Sequence, residues 1–197
     1  AYNETCAAIS MVYLFERMFL LHGESKYIDC LERTLYNGVI SGMSMDGGRF
    51  FYPNPLSSDG KYKFNADGNT TRQPWFGCAC CPSNLCRFIP SVPGYLYGVK
   101  DNNVYVNLFA ASTSTVQVNG KDVTLEQTTE YPWQGDITLR VKQCKAKGTN
   151  LLVRVPGWVR NQVVPSDLYA YSDTLRPAYS ITVNGKTVTA DLEKTNG

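Results

Sequence analysis

Four cysteines fall within nine residues of the stretch FGCACCPSNLCR, at Cys78, Cys80, Cys81 and Cys86, and two of them are adjacent. Thiols this crowded serve disulfides, a structural metal or a reactive thiolate. The chain holds seven cysteines, an odd number that leaves one over in a pure disulfide framework. A chain of 197 residues can also bury a core without covalent staples. The clustering therefore leans toward metal binding or catalysis. Cys80 and Cys81 cannot easily bond to each other, because a vicinal disulfide strains the peptide between them. Each could pair instead with Cys6, Cys30 or Cys144, or several could share one soft metal. Zinc takes thiolate, imidazole and carboxylate ligands, usually four in total. Two separated C-x-x-C pairs are absent, and a single histidine, His22, nearly excludes a site of two cysteines and two histidines.

A second place matters. The tetrapeptide NETC sets Glu4 and Cys6 two residues apart at a helix start. Facing one point, they offer an oxygen and a sulfur, and with Cys80 and Cys81 they make a ligand set of one carboxylate and three thiolates. The competing reading makes Cys6 a small buried hydrophobe and Glu4 a partner of the helix dipole.

The elements that must position these groups change character along the chain. Residues 1 to about 42 read as helical. A first helix is capped by Asn3 or Thr5 and stopped by Gly23; a second runs from Ser25 to Gly42, with Ile28, Leu31, Leu35 and Val39 at helical spacing. The first is apolar on most sides, which suits a helix buried in a larger helical assembly. Its most apolar stretch, MVYLFERMFLL, is interrupted by Glu16 and Arg17 and reads as too short to cross a bilayer. Asp46-Gly47-Gly48 predicts a hairpin, and residues 57–77 a loop-rich segment. Pro82 suits the first turn of a short helix that Pro90 and Pro93 stop. From Tyr95 onward short β-branched segments alternate with turns, the pattern of an antiparallel β-sandwich. VNGK occurs twice, at 118–121 and 183–186, each an Asn-Gly hairpin signal. The boundary falls near residues 90–97.

The segments AYNETCAAIS, LYNG, FFYPNPL, CCPSNLCR and LLVRVPGW resemble the bacterial β-L-arabinofuranosidases of glycoside hydrolase family 127 and their relatives. The resemblance covers nearly the whole chain, and the pairing of E-x-C with C-C-P-x-N-x-x-R makes it specific. It implies a multi-domain architecture, α then all-β: residues 1–94 as the C-terminal part of an (α/α)6 barrel, and residues 95–197 as a β-sandwich. It implies Zn2+ held by Glu4, Cys6, Cys80 and Cys81, with Cys80 the nucleophile of a retaining glycosidase working through a thioglycosyl intermediate. It places Glu32 and Tyr52 on the sugar hydroxyls. Without the resemblance, Glu32 reads equally as an exposed helix carboxylate, and Tyr52 more readily as a half-buried hairpin aromatic. Trp75 and Phe76 could stack on a sugar or pack, Arg87 would brace the metal loop, Cys78 and Cys86 match no role and read as structurally buried thiols, with Cys78 alternatively flanking the site, and Cys30 and Cys144 read as core thiols.

The family's general acid/base glutamate precedes the E-x-C motif, so it is expected upstream of this chain, leaving the chain alone inactive. The partners implied are a plant-derived oligosaccharide or glycan, the remainder of the barrel and, as an open possibility, a second copy in a homodimer. A net charge of +2 with no block of like charges gives no argument for nucleic acid or a membrane surface. The compartment, bacterial cytoplasm or periplasm, is not fixed by the sequence. The rival reading is a sugar-binding or interaction sandwich with a purely structural zinc knot.

Overall fold

The computed structural model describes residues 3–173, 178–189 and 192. Ala1 and Tyr2 of the first motif and Ala190 of the last strand segment lie outside them. The chain divides into two compact units, Ala1–Val92 and Pro93–Gly197.

The first unit is helical. Helix α1 spans Thr5–His22 and ends where Gly23 turns left-handed (φ 71°) and returns its N–H to the Phe19 carbonyl. Neither Asn3 nor Thr5 caps it: Glu4 holds the cap position in extended backbone, and no side chain caps the helix. At 18 residues and mean hydropathy 1.2, α1 is long and apolar enough to cross a bilayer by length and composition, which corrects the expectation of a stretch too short. One face, Ala8, Ile9, Val12 and Phe19, is nonetheless buried in this unit.

Helix α2, Ser25–Thr34, stops well short of Gly42. It passes into a π-helical turn, Leu35–Val39, and a 3-10 turn, Ile40–Gly42. The apolar spacing is the same for either helix type, so the change is invisible in the pattern. Gly38 lies at the closest approach to α1, where an added Cβ would stand 3.0 Å from the Ala8 Cβ. The hairpin at Asp46–Gly48 forms through a single bridge, Met43 to Phe50, and not as strands, and Phe50 also bridges Gln73. Helix α3, Cys80–Phe88, runs on through Pro90 and Pro93 as a 3-10 segment, Ile89–Tyr95, so the prolines change the helix type without stopping it. Ile9, Val12, Ile28, Leu31, Val39, Leu85 and Phe88 form the sealed interior.

The second unit is all-β. Strands β1 (Tyr97–Lys100), β2 (Asn103–Val106) and β6 (Asn150–Val153) make one sheet. Strands β3 (Ser112–Val118), β4 (Lys121–Thr129) and β5 (Ile137–Cys144) make a second, and β7 (Ile181–Val183) with β8 (Lys186–Val188) a hairpin. The unit is not purely antiparallel: β2 pairs with β6 in parallel, Val104 beside Leu151. A parallel pair needs a crossover, and the β3–β5 sheet is inserted between the two strands in sequence. Val104 of the first sheet packs with Val118, Val123 and Leu125 of the second in one core cluster. Both Asn-Gly turns form with positive φ at each residue: Asn119 and Gly120 at 51° and 71°, Asn184 and Gly185 at 52° and 78°.

Candidate active site

The site is assembled from three separate segments. Asn3 and Glu4 run antiparallel to Pro53: Glu4 bridges Pro53, the Asn54 N–H donates to the Asn3 carbonyl at 2.7 Å, and the Thr5 N–H to the Tyr52 carbonyl at 2.9 Å. This contact satisfies one of the orphan donors of the uncapped α1 start. Asn65, 3% exposed, fixes the Tyr52 segment from the other side; its Oδ1 accepts the Tyr52 N–H at 2.8 Å while its Nδ2 donates to the Thr71 carbonyl at 2.8 Å. Cys80 and Cys81 open α3, where Pro82 costs nothing because first-turn N–H groups have no helical acceptor.

Folding brings the Sγ atoms of Cys6, Cys80 and Cys81 within 4.8 Å of one another. The adjacent pair stands at 4.0 Å, and all seven cysteines are free thiols. Cys81 is fully buried; Cys6 and Cys80 are half-buried. The Cys80 sulfur lies 2.9 Å from the Tyr52 hydroxyl, which also stands 3.8 Å from the Cys78 sulfur. A neutral Cys80 donates in this contact. Once ionised it accepts, and the Tyr52 O–H donates to the thiolate. That hydrogen bond is the main reason the Cys80 thiol is held below its ordinary value. Burial pushes Cys81 well up and raises Cys6, although a hydrogen bond with Cys81 opposes the rise at Cys6. Tyr52 is pushed up, chiefly because its proton is committed to Cys80, with the Glu4 charge contributing less. Cys80 is thus the member of the trio disposed to ionise first.

These donors fit zinc. Zinc–thiolate bonds of about 2.3 Å in a tetrahedron set sulfurs about 3.8 Å apart, against the 4.0 Å between Cys80 and Cys81. Glu4 stands outside the three-sulfur group. Its place at the uncapped start of α1, two residues from Cys6, makes it the carboxylate candidate for a fourth position.

Other candidates are placed as follows. Glu32 is 6% exposed on the face of α2 that carries Ile28 and Leu31, so it is not an exposed helix carboxylate; it lies outside the thiol group. Phe76 is buried and packs edge-on against the Tyr52 ring at 5.7 Å, which removes it as a sugar platform, whereas Trp75 is exposed. Arg87 donates to the Asn84 Oδ1 at 3.3 Å. Cys78 and Cys86 are exposed and not structurally buried. Cys144 is no core thiol either: it is exposed and donates to the Ala146 carbonyl at 3.1 Å. Cys30 is half-buried, and burial raises its pKa. The residues that sequence reasoning passed over are Asn54 and Asn65, and Thr5 is legible only as a possible cap. Their partners lie in other segments of the chain, for which no local spacing is a signal.

Comparison with known proteins gives a consistent result. Residues 1–94 match the family description "Beta-L-arabinofuranosidase, GH127 catalytic domain", and residues 103–196 match "Beta-L-arabinofuranosidase, GH127 middle domain". A Bifidobacterium longum protein named non-reducing end beta-L-arabinofuranosidase is 34% identical over 98% of this chain and 28% of its own length. A solved structure described as a GH127 beta-arabinofuranosidase is 57% identical, with TM-score 0.89 over 98% of this chain and 29% of that one. A GH127 beta-L-arabinofuranosidase from Geobacillus stearothermophilus T6 is 38% identical, with TM-score 0.79 over 96% of this chain and 28% of that one. The chain therefore spans less than a third of the length of these relatives.

Proposed function

The chain belongs to glycoside hydrolase family 127, and from that premise we propose that the protein it is part of is a retaining β-L-arabinofuranosidase acting on plant-derived glycans. In this reading residues 1–94 are the C-terminal part of an (α/α)6 barrel and residues 95–197 a β-sandwich domain. Cys6, Cys80, Cys81 and Glu4 hold zinc, Cys80 is the nucleophile, and Tyr52 and Glu32 serve the sugar hydroxyls. The observation that carries the reading is the meeting of three thiols with the Tyr52 hydroxyl on one of them, Cys80, which is left part-open beside a sealed Cys81.

Bound zinc supplies the positive charge that keeps its thiol ligands deprotonated at neutral pH. The Cys80 thiolate attacks the anomeric carbon from the face opposite the leaving group. The carbon–sulfur bond forms as the glycosidic carbon–oxygen bond breaks, and the departing oxygen takes a proton from a carboxylic acid outside this chain. Water, deprotonated by the same carboxylate, then attacks the anomeric carbon and expels the Cys80 thiolate. Two inversions give net retention. Through the first step the Tyr52 hydroxyl aims the sulfur, and as negative charge leaves Cys80 its hydrogen bond can turn to a sugar oxygen while the proton stays on Tyr52.

The test is Cys80→Ser in the full-length protein, assayed on an aryl β-L-arabinofuranoside. Turnover should fall by at least about 10³-fold; because serine also replaces a thiolate ligand, zinc content and the thermal midpoint are read alongside, and the loss should persist in protein that still holds zinc. Retained turnover would sink the nucleophile assignment.

A further inference from the structure

We propose that Thr5 is a positioning residue of the thiol site: it fixes the register between Cys6, which follows it on α1, and Tyr52, whose hydroxyl rests on Cys80. The proposal builds on the reading of Cys80 as nucleophile.

Thr5 lies between Glu4 and Cys6 and is 0% exposed. Its N–H donates to the Tyr52 carbonyl at 2.9 Å. Its Oγ1 stands 3.1 Å from the Phe51 carbonyl and 3.2 Å from the Tyr52 carbonyl, so its one proton is shared between consecutive peptides. The opposite wall of this slot is Gly42, whose carbonyl accepts the Phe51 N–H at 2.7 Å. A Cβ at Gly42 would stand 2.9 Å from the Thr5 Oγ1 and 3.1 Å from its Cγ2. The glycine is needed because Thr5 fills the space.

The α1 start has no side-chain cap, so its position relative to the 51–54 segment depends on these contacts and the short ladder beside them. Cys6 follows one segment of that ladder in sequence, and Tyr52 lies on the other. A slip between the two segments moves the Cys6 sulfur relative to the Tyr52 hydroxyl, and the 2.9 Å contact with Cys80 has little room for it. Misplacement by about 1 Å can cost about 100-fold in rate. The hydroxyl reaches the two carbonyls and so carries the register, while the methyl group fills the rest of the slot.

The experiment uses the full-length protein with Thr5→Val, which keeps the bulk and removes the hydroxyl, and Thr5→Ser, which keeps the hydroxyl. Thr34→Val is the control, removing a hydroxyl that donates to the Cys30 carbonyl within α2 at 2.8 Å. Zinc affinity is read by chelator competition, kcat and KM on an aryl β-L-arabinofuranoside, and fold by the thermal midpoint. Thr5→Val should weaken zinc binding and lower kcat by about 10-fold each, with KM held within about twofold. Thr5→Ser should recover most of both, and Thr34→Val should move neither even where its midpoint falls. The proposal is overturned by a Thr5→Val protein with unchanged zinc affinity and kcat, by a Thr5→Ser protein as impaired as Thr5→Val, or by an equal effect from Thr34→Val. If the unaltered protein binds zinc but does not hydrolyse the arabinofuranoside, the enzymatic reading fails, and the zinc affinities of the variants still decide the role of Thr5.

Discussion

Cys81 is fully buried, while Cys80, one residue earlier, keeps part of its surface open and carries the Tyr52 hydroxyl at 2.9 Å. Two thiols joined by one peptide thus have different chemistry available to them. Burial raises the pKa of Cys81, and a hydrogen bond lowers that of Cys80. Tyr52→Phe removes that hydrogen bond and little else, because the ring keeps its edge-on contact with Phe76. A hydrogen bond to a charged group contributes about 1.5–3 kcal/mol, so kcat/KM of the full-length protein should fall about 10- to 100-fold. Steady-state kinetics check this; a change within about twofold would mean the hydroxyl acts on neither sulfur nor sugar. The adjacency of Cys80 and Cys81 and the Glu4–Cys6 spacing were legible in the sequence because the pattern is local. The hydroxyl on Cys80 was not, because it depends on packing between residues 28 positions apart. Thr5 was legible only as a possible cap, since its partners are main-chain carbonyls 46 and 47 positions away.

At the scale of elements, the π-helical turn Leu35–Val39 shows how one local irregularity supports the site. The last carbonyls of a helical run lack helical donors. The Asn54 Nδ2 takes the Gly38 carbonyl at 3.3 Å and the Ser41 Oγ at 2.6 Å, while the Asn54 N–H holds the Asn3 carbonyl. One residue, 6% exposed, therefore links the end of α2 to the strand that leads into Cys6. Asn54→Ala leaves buried acceptors unpaired and should cost about 1–3 kcal/mol. At about 2–4 °C per kcal/mol for a domain of this size, thermal melting will show a drop of several degrees; an unchanged midpoint would mean that water replaces the amide. Ile28, Leu31, Leu35 and Val39 marked this region as helical, yet their spacing fits α and π turns alike. In the β unit the Asn-Gly turns were legible because positive φ at both turn residues selects those residue types. The parallel pairing of β2 with β6 was not, since Asn103 meets Asn150 across the whole inserted sheet.

For the molecule as a whole, the division of labour within the fold leads to a testable separation of metal binding from catalysis. All three sulfurs, the Tyr52 hydroxyl and the contacts that hold them lie within the unit Ala1–Val92. The thiol site is therefore complete in its own supports, and the isolated 197-residue chain should take up one zinc per molecule. Turnover is different. The retaining scheme requires a carboxylic acid on the leaving-group side of the sugar. In the proposed mechanism Glu4 serves as a metal ligand and Glu32 as a sugar contact, and the acid/base comes, as the family resemblance implies, from the part of the protein outside this chain. Leu14 and Leu21 on α1 are 50% and 69% exposed, an apolar face of the kind that further barrel helices would cover. The isolated chain should then bind zinc with an affinity that Cys6→Ser and Cys81→Ser each weaken, and yet release no measurable arabinose from an aryl β-L-arabinofuranoside that the full-length protein hydrolyses. Metal content by mass spectrometry of the native chain and a parallel hydrolysis assay decide the matter. Turnover by the isolated chain at a rate near that of the full-length protein would place the acid within these residues and overturn the assignment of roles. Zinc uptake indifferent to both cysteine substitutions would remove the metal from the thiol trio.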